Sequence, residues 1–279
     1  MSTGTPPTLE ELSRQALLRN EALAISALEK LPNMLFPALF KEAFNSRCTG
    51  IVKAMVVAWP FPYLHVKGIT NTFDSEIFHA VLDGLDVLPT QQVCPMRGDL
   101  RVLIFGGCPS HLKDFALCPS LHQLEHLDLS GPLLRSVSTV PLSVLLEMGA
   151  GSLETLELQG CRIKDSQFRE LLPAFSQCSQ LTKVNFYSND FSMNLLRDLF
   201  YHTANMSKMT MEQYPAPREC YAEWENISIE AFSQLCSQLV DTLRAIRQPK
   251  RIRFATYLCD FCSQRCVYDQ ETRLCSCLQ

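Results

Sequence analysis

The sequence shows no unbroken apolar run and no glycine-rich loop of the kind that cradles phosphate, and no signal leader is expected. Its first residues, MSTGTPPTLEELSRQ, lack the charged start and apolar core of a secretory signal. The most apolar stretch, IVKAMVVAWPFPYL, is interrupted by Lys53 and Pro60, so no membrane span or membrane partner is expected. A soluble intracellular protein is expected, cytoplasmic with the nucleus as a second compartment. Positive charge is not in excess: Lys and Arg total 25 against 29 Asp and Glu, a net charge of −4. The one basic run, Arg244, Arg247, Lys250, Arg251 and Arg253, reads as a solvated face, and no nucleic-acid partner is expected. The six histidines, His65, His79, His111, His122, His126 and His202, surround no plausible nucleophile. His122 and His126 are four apart but enter a predicted strand, where they would not share a face as metal ligands. No catalytic activity is expected.

What is present in quantity is apolar residue, 47% of 279, which is ample for a core and excludes disorder as the main state. Cysteine is also abundant. Eight of the thirteen are scattered between Cys48 and Cys236, and an odd number in a reducing compartment implies free thiols, with Cys161 and Cys178 read as small buried hydrophobes. The other five crowd into CDFCSQRCVYDQETRLCSC. Cys259 and Cys262 form a Cys-x-x-Cys pair, and after twelve intervening residues Cys275 and Cys277 form Cys-x-Cys. Four thiolates at such spacings can close a tetrahedral zinc shell, with Cys266 as an alternative ligand. Buried free thiols are the competing reading, and a redox pair or disulfide the third. No other cofactor is expected.

Along the chain, Thr8 and Glu11 have the spacing of a capping box, and apolar residues from Leu9 to Leu28 recur at helical spacing. The spacing predicts one helix of about five turns, ended by Pro32. LFPALFKEAF starts a second helix with Pro37 in its first turn, TGIVKAMVVAW predicts a third, and DSEIFHAVLDGLDVL a fourth, capped by Asp74 or Ser75. The first ninety residues are thus expected to be all helical. From about Leu100 a repeat takes over. LRVLIFGGC, LEHLDLSGPLL, LETLELQGCRI and LTKVNFYSNDF align so that Leu103, Leu127, Leu156 and Val184 are equivalent, with steps of 29 and 28 residues between the last three. Short strands alternate with helical segments such as DSQFRELLPAFSQCS and MNLLRDLFYHTAN.

This predicts an α/β leucine-rich-repeat solenoid, a curved parallel sheet with outer helices, behind an N-terminal all-helical cap. The expected boundaries are 1–95 for the helical region, 96–258 for the solenoid and 259–279 for a Cys-rich C-terminal cap. A weaker repeat unit at SKMTMEQY, the helix SIEAFSQLCSQLVDTLRAI and a last strand in RIRFATY would complete the array. On the concave strand face Glu125, His126, Asp128, Glu154, Thr155, Glu157, Thr182, Lys183 and Asn185 should point outward. A protein client is the expected ligand of that surface. LSVLL, from Leu142 to Leu146, has the spacing of a receptor-binding box, but its leucines fall on a repeat helix and are expected in the core.

QALLRNEALAISALEKLPNMLFPALFKEAF, KAMVVAWPF, AVLDGLDVL, LTKVNFYSNDFS, the YPAPRE segment and the closing CDFC…CSC together resemble the PRAME family (preferentially expressed antigen in melanoma) over nearly the whole chain. Members are typically much longer and carry several further repeats where this chain has Arg101 to Leu121, so the chain resembles a shortened form. The resemblance implies the substrate-recognition adaptor of a ubiquitin ligase built on elongin B, elongin C and a cullin of the second type. It also implies repression of transcription and differentiation and support of proliferation and survival. An elongin-binding box would be Thr8, Leu9, Ser13 and Leu17, with Ser13 where the pattern has cysteine. A cullin box would be Leu31, Pro32, Leu35 and Leu39. Two alternatives stand beside it: these leucines are the core of a helical cap, and the chain is a non-ligase scaffold or corepressor.

Overall fold

A computed structural model describes residues 8–66, 75–87, 101–104, 119–131, 139–221 and 227–278. The chain divides into two compact units: Met1–Pro62, Val66–Leu100 and Cys118–Ser120 form the first, and Tyr63–His65, Arg101–Leu117 and Leu121–Gln279 the second.

In the first unit the helices are α1 (Leu9–Leu18), α2 (Glu21–Ala27), α3 (Phe36–Asn45), α4 (Thr49–Val57) and α5 (Ser75–Val87). The single five-turn helix expected from Leu9 to Leu28 is in fact two. Asn20 takes an extended backbone, φ −133°, and its side chain accepts the Leu23 N–H, which starts α2 afresh. Pro37 sits in the first turn of α3, as its fixed φ suits. Phe36 and Phe40 of α3 pack edge-on against Trp59, with ring centroids 6.0 and 5.1 Å away, and Leu39, Ala43, Val52, Met55 and Val81 are buried with them. Helices α4 and α5 come close at Gly84, where a Cβ would stand 2.6 Å from Val56 Cβ and 2.8 Å from the Lys53 carbonyl oxygen.

Among the described residues the second unit forms a nine-stranded sheet in strict chain order: β1 (Tyr63–His65), β2 (Val102–Ile104), β3 (His126–Asp128), β4 (Thr155–Glu157), β5 (Lys183–Asn185), β6 (Met211–Pro215), β7 (Ile252–Ala255), β8 (Val267–Tyr268) and β9 (Thr272–Arg273). Strands β1 to β7 are parallel, and β8 and β9 add antiparallel. Helices α6 (Val140–Gly149), α7 (Asp165–Gln177), α8 (Met193–His202) and α9 (Ile229–Ile246) form the helical partners of this array, each packed on the next in the chain. This is the α/β leucine-rich-repeat architecture that the repeat predicted.

The register is the aligned one: Leu103, Leu127, Leu156 and Val184 are direct partners across β2 to β5, and all are buried. One strand falls where helix was expected. Tyr63-Leu64-His65 alternates exposed, buried, exposed, and Leu64 pairs with Leu103 at the head of the same ladder. Pro60 and Pro62 on its N-terminal side disfavour helix there, so the period-two pattern decides.

A second buried row runs two residues further along, through Leu129, Leu158, Phe186, Tyr214 and Phe254. Its aromatic end is continuous, with Phe186 to Tyr214 at 6.0 Å and Tyr214 stacked on Phe254 at 5.7 Å. Phe168 of α7 closes on Phe186 at 5.1 Å and on Phe191 at 4.8 Å. At the turn after β5, Asn189 is buried and its amide donates to the Leu158 and Phe186 carbonyls while its oxygen accepts the Ile163 N–H. Cys161 holds the equivalent place one repeat earlier, with its thiol 3.3 Å from the Leu129 carbonyl. Those are the Asn/Cys positions of a leucine-rich repeat, where one side chain satisfies backbone groups that leave the strand ladder. Leu142, Leu145 and Leu146 of LSVLL are buried on α6 as core residues.

Candidate protein-interaction surfaces

Helix α1 begins with the expected capping box: the Thr8 N–H donates to Glu11 Oε2 at 2.7 Å, and the Glu11 N–H returns to Thr8 Oγ1 at 3.2 Å. The Thr8 N–H and, as the smaller cause, the Thr8 hydroxyl at 3.1 Å both donate to the Glu11 carboxylate and lower it below its ordinary pKa. No residue of α1 is buried, although Leu9, Leu12, Leu17 and Leu18 are apolar. Leu9 is 82% exposed, and Leu12 and Leu23 are exposed beside it in the sequence. Ser13, one turn after Leu9, is exposed and its hydroxyl donates to the Leu9 carbonyl at 2.7 Å. Arg14 fastens the helix, pairing with Glu42 of α3 at 3.1 Å and also with Glu10. Leu9, Ser13 and Leu17 follow one another at four-residue spacing after the Thr8 cap, with Leu9 and Ser13 exposed and Leu17 half-buried.

Leu31, Pro32, Leu35 and Leu39 are divided between surface and core. Pro32 is exposed, Leu31 and Leu35 are half-buried, and Leu39 is 1% exposed within α3. Met34, between them, is 81% exposed. A core role accounts for Leu39 alone among these four, since burial of the other three is partial or absent.

In the second unit the register sorts the outward strand residues into rows. His65, Ile104, Asp128, Glu157, Asn185, Gln213 and Arg253 are successive partners from β1 to β7. Tyr63, Val102, His126, Thr155, Lys183 and Met211 form the row beside it. Asp128, Glu157 and Asn185 thus stand in one line and Lys183 in the next. Asn185 is buried rather than open, because its amide donates to Gln159 Oε1 at 3.0 Å and its oxygen accepts the Tyr187 N–H at 3.1 Å. Glu125 and Glu154 precede β3 and β4. Each offers its carbonyl to a pair of N–H groups on the next repeat, and the Glu125 side chain also pairs with Arg101 at 2.8 Å. Burial holds the half-buried His126 below its ordinary pKa, against the pull of Asp128 and with the push of His65 and Lys183. The rows are acidic at Asp128 and Glu157 and basic at Lys183 and Arg253, with apolar Val102, Ile104 and Met211 among them.

At the C-terminal end the structure gathers the sulfurs of Cys259, Cys262 and Cys275 within 4.8 Å of one another. The basic run behaves less uniformly than its charge suggested. Arg247 is turned inward, its side chain 9% exposed, and it holds Glu212 of β6, which is wholly buried. Neither partner announced this: the pair is 35 residues apart, and only the missing leucine in SKMTMEQY marks the spot.

Two family models match the chain, the PRAME N-terminal domain over residues 6–108 and the PRAME C-terminal domain over residues 85–277. The chain belongs to the PRAME family. PRAME family member 12 of Homo sapiens is 28% identical, the match taking in 99% of this chain and 98% of that protein. Oogenesin-2 of Mus musculus is 27% identical, with 99% and 98% covered. PRAME family member 7 of Homo sapiens is also 27% identical, with 99% and 100% covered. The first of these alignments runs over 472 positions against 279 residues here, so at least 193 positions of the alignment face no residue of this chain. In this shorter PRAME chain the sheet is nonetheless continuous from β1 to β9. No solved structure matches the chain significantly.

Proposed function

We propose that this PRAME-family chain is the substrate-recognition adaptor of a cullin-RING ubiquitin ligase, non-catalytic in itself. The observation that carries the reading is α1, an amphipathic helix with a built N-cap, no buried residue and Leu9 held out to solvent. A helix of this kind is completed by a groove on another protein, and one fully buried leucine contributes about 1.5 to 3 kcal/mol to such docking. Leu9, with Leu17 two turns on, would enter a pocket of the elongin B and elongin C pair. The exposed Pro32 and half-buried Leu31 and Leu35 would meet the cullin. The outward rows from His65 to Arg253 would hold the protein client, with Asp128, Glu157 and Lys183 as its charged contacts. Repression of transcription and differentiation, with support of proliferation and survival, is the cellular outcome that the family suggests.

The test is size-exclusion chromatography of the full chain with elongin B and elongin C, followed by addition of the cullin N-terminal domain. Co-elution that is lost in Leu9→Asp and Leu31→Asp, with the melting temperature unchanged, is the expected result. Failure to co-elute at about 10 µM, corresponding to less than about 7 kcal/mol of binding free energy, would overturn the adaptor reading. Retention of client binding in that case would establish a scaffold or corepressor in its place.

A further inference from the structure

The cysteines of this chain fall into two physical classes. Cys161, Cys178, Cys220 and Cys236 are each buried in the repeat core, where they fill space as small apolar groups. Cys259 and Cys262 are only half-buried, yet their sulfurs converge with that of Cys275 at the end of the sheet, and the exposed Cys277 follows two residues later. Core filling does not account for that arrangement. Neither does a disulfide, which uses two sulfurs, whereas Cys259, Cys262 and Cys275 are mutually within 4.8 Å. In a tetrahedral thiolate site with Zn–S of about 2.3 Å the sulfurs stand roughly 3.8 Å apart, a contraction within reach of side-chain rotation.

The loop that carries these cysteines is held by its own hydrogen bonds. Ser263, directly after the Cys-x-x-Cys pair, adopts a left-handed backbone with φ 54°. The loop closes on itself through Ser263 N–H to the Cys259 carbonyl and Cys259 N–H to the Gln264 carbonyl, both 2.8 Å. The two halves are cross-tied by the Ser276 N–H on Gln264 Oε1 at 3.1 Å.

We propose that Cys259, Cys262, Cys275 and Cys277 bind one structural Zn²⁺ ion, with Cys266 outside the ligand shell. Cys277 is chosen as fourth ligand because it is exposed and follows Cys275 by two residues in the Cys-x-Cys pair, on the segment that already brings Cys275 to Cys259 and Cys262. Cys266 is buried, outside that group of sulfurs, and its backbone is pinned on both sides by Thr256, whose N–H donates to the Cys266 carbonyl and whose hydroxyl accepts the Cys266 N–H, both at 3.0 Å. The site has a mechanical role. Strands β8 and β9 are two residues each, too short to hold an edge hairpin by their own ladder. A metal joining the loop before β8 to the segment after β9 pins both to β7 and caps the open edge of the repeat array.

The experiment uses the full chain, expressed with zinc and kept in a reducing buffer, and then Co²⁺ alone as a spectroscopic probe after chelation. About one equivalent of zinc is expected, and Co²⁺ should give the thiolate-to-metal charge-transfer band of a four-sulfur site. Cys266→Ser should retain that full band, and Cys277→Ser should lose about a quarter of it. Chelation of the unmutated chain should speed amide exchange across residues 256–278 while leaving the strands β3 to β5 protected, a readout that needs no variant to fold. Less than about half an equivalent of zinc, a mass deficit of two hydrogens from a disulfide, or loss of the band in Cys266→Ser with retention in Cys277→Ser would overturn the assignment.

Discussion

Arg247, just past the end of α9, places two guanidinium nitrogens on the two carboxylate oxygens of Glu212 in β6, at 2.7 and 2.5 Å. Glu212 stands where Leu64, Leu103, Leu127, Leu156 and Val184 stand in the preceding strands. An ionised carboxylate in the middle of an apolar ladder persists only because its oxygens are met: Arg247 forks onto it and the Tyr214 hydroxyl donates to it at 2.8 Å. The same guanidinium reaches Thr203 Oγ1 at 3.4 Å, so one buried cation ties β6 to the ends of α8 and α9.

Breaking this pair from one side should be far worse than removing it. Glu212→Leu or Arg247→Met alone is expected to cost about 3 to 5 kcal/mol in urea denaturation, because either leaves a buried charge unmet. The double variant should recover most of that loss, since the two introduced side chains would extend the existing ladder with apolar volume. A double variant as unstable as the worse single one would show that the pair is needed for packing geometry and not for charge compensation.

Gly84 offers a test of sign. Replacing a glycine inside α5 by alanine should gain about 1 kcal/mol from helix propensity alone. The new methyl would stand 2.6 Å from Val56 Cβ and 2.8 Å from the Lys53 carbonyl oxygen, which belongs to backbone and cannot rotate away. Overpacking of this kind costs about 1 to 3 kcal/mol, so Gly84→Ala is expected to lower the melting temperature. A rise on thermal melting would mean that α4 and α5 separate freely.

His126 should make stability depend on pH. Its ordinary pKa is about 6.5, and burial holds it lower in the folded protein, with Asp128 opposing and His65 and Lys183 reinforcing. As pH falls the unfolded chain takes up this proton first, so the stabilisation is complete above about pH 7 and is lost as pH falls through the folded value. The melting temperature of the wild-type chain should therefore drop between about pH 7.5 and 5.5 more steeply than that of His126→Gln. Equal slopes would assign the dependence to other groups.

Much of this molecule was legible in its residues. The recurrence of Leu103, Leu127, Leu156 and Val184 set the strand register one residue at a time, because a period-two strand and a 28- or 29-residue step leave few ways to bury all four. Thr8 and Glu11 marked the start of α1 for an equally local reason, since a capping box is satisfied within three residues. The candidate surfaces were legible only as composition. Asp128, Glu157, Asn185 and Lys183 could be placed on strands, but that Asn185 is covered by Gln159 and Tyr187 depends on a neighbouring turn.

Elements with local or strictly periodic causes were settled by the residues alone: the capped first helix, the repeat, the proline-started α3 and the core position of Leu142, Leu145 and Leu146. Whatever depends on contacts between distant residues waited for the folded chain. Tyr63–His65 became the first strand because a β2 edge was there to pair with it. Arg247 turned inward because a buried Glu212 must be compensated. Leu9 stayed uncovered while Leu39 was buried, a distinction the leucine pattern does not contain, because burial is set by which surfaces face each other once the chain has folded.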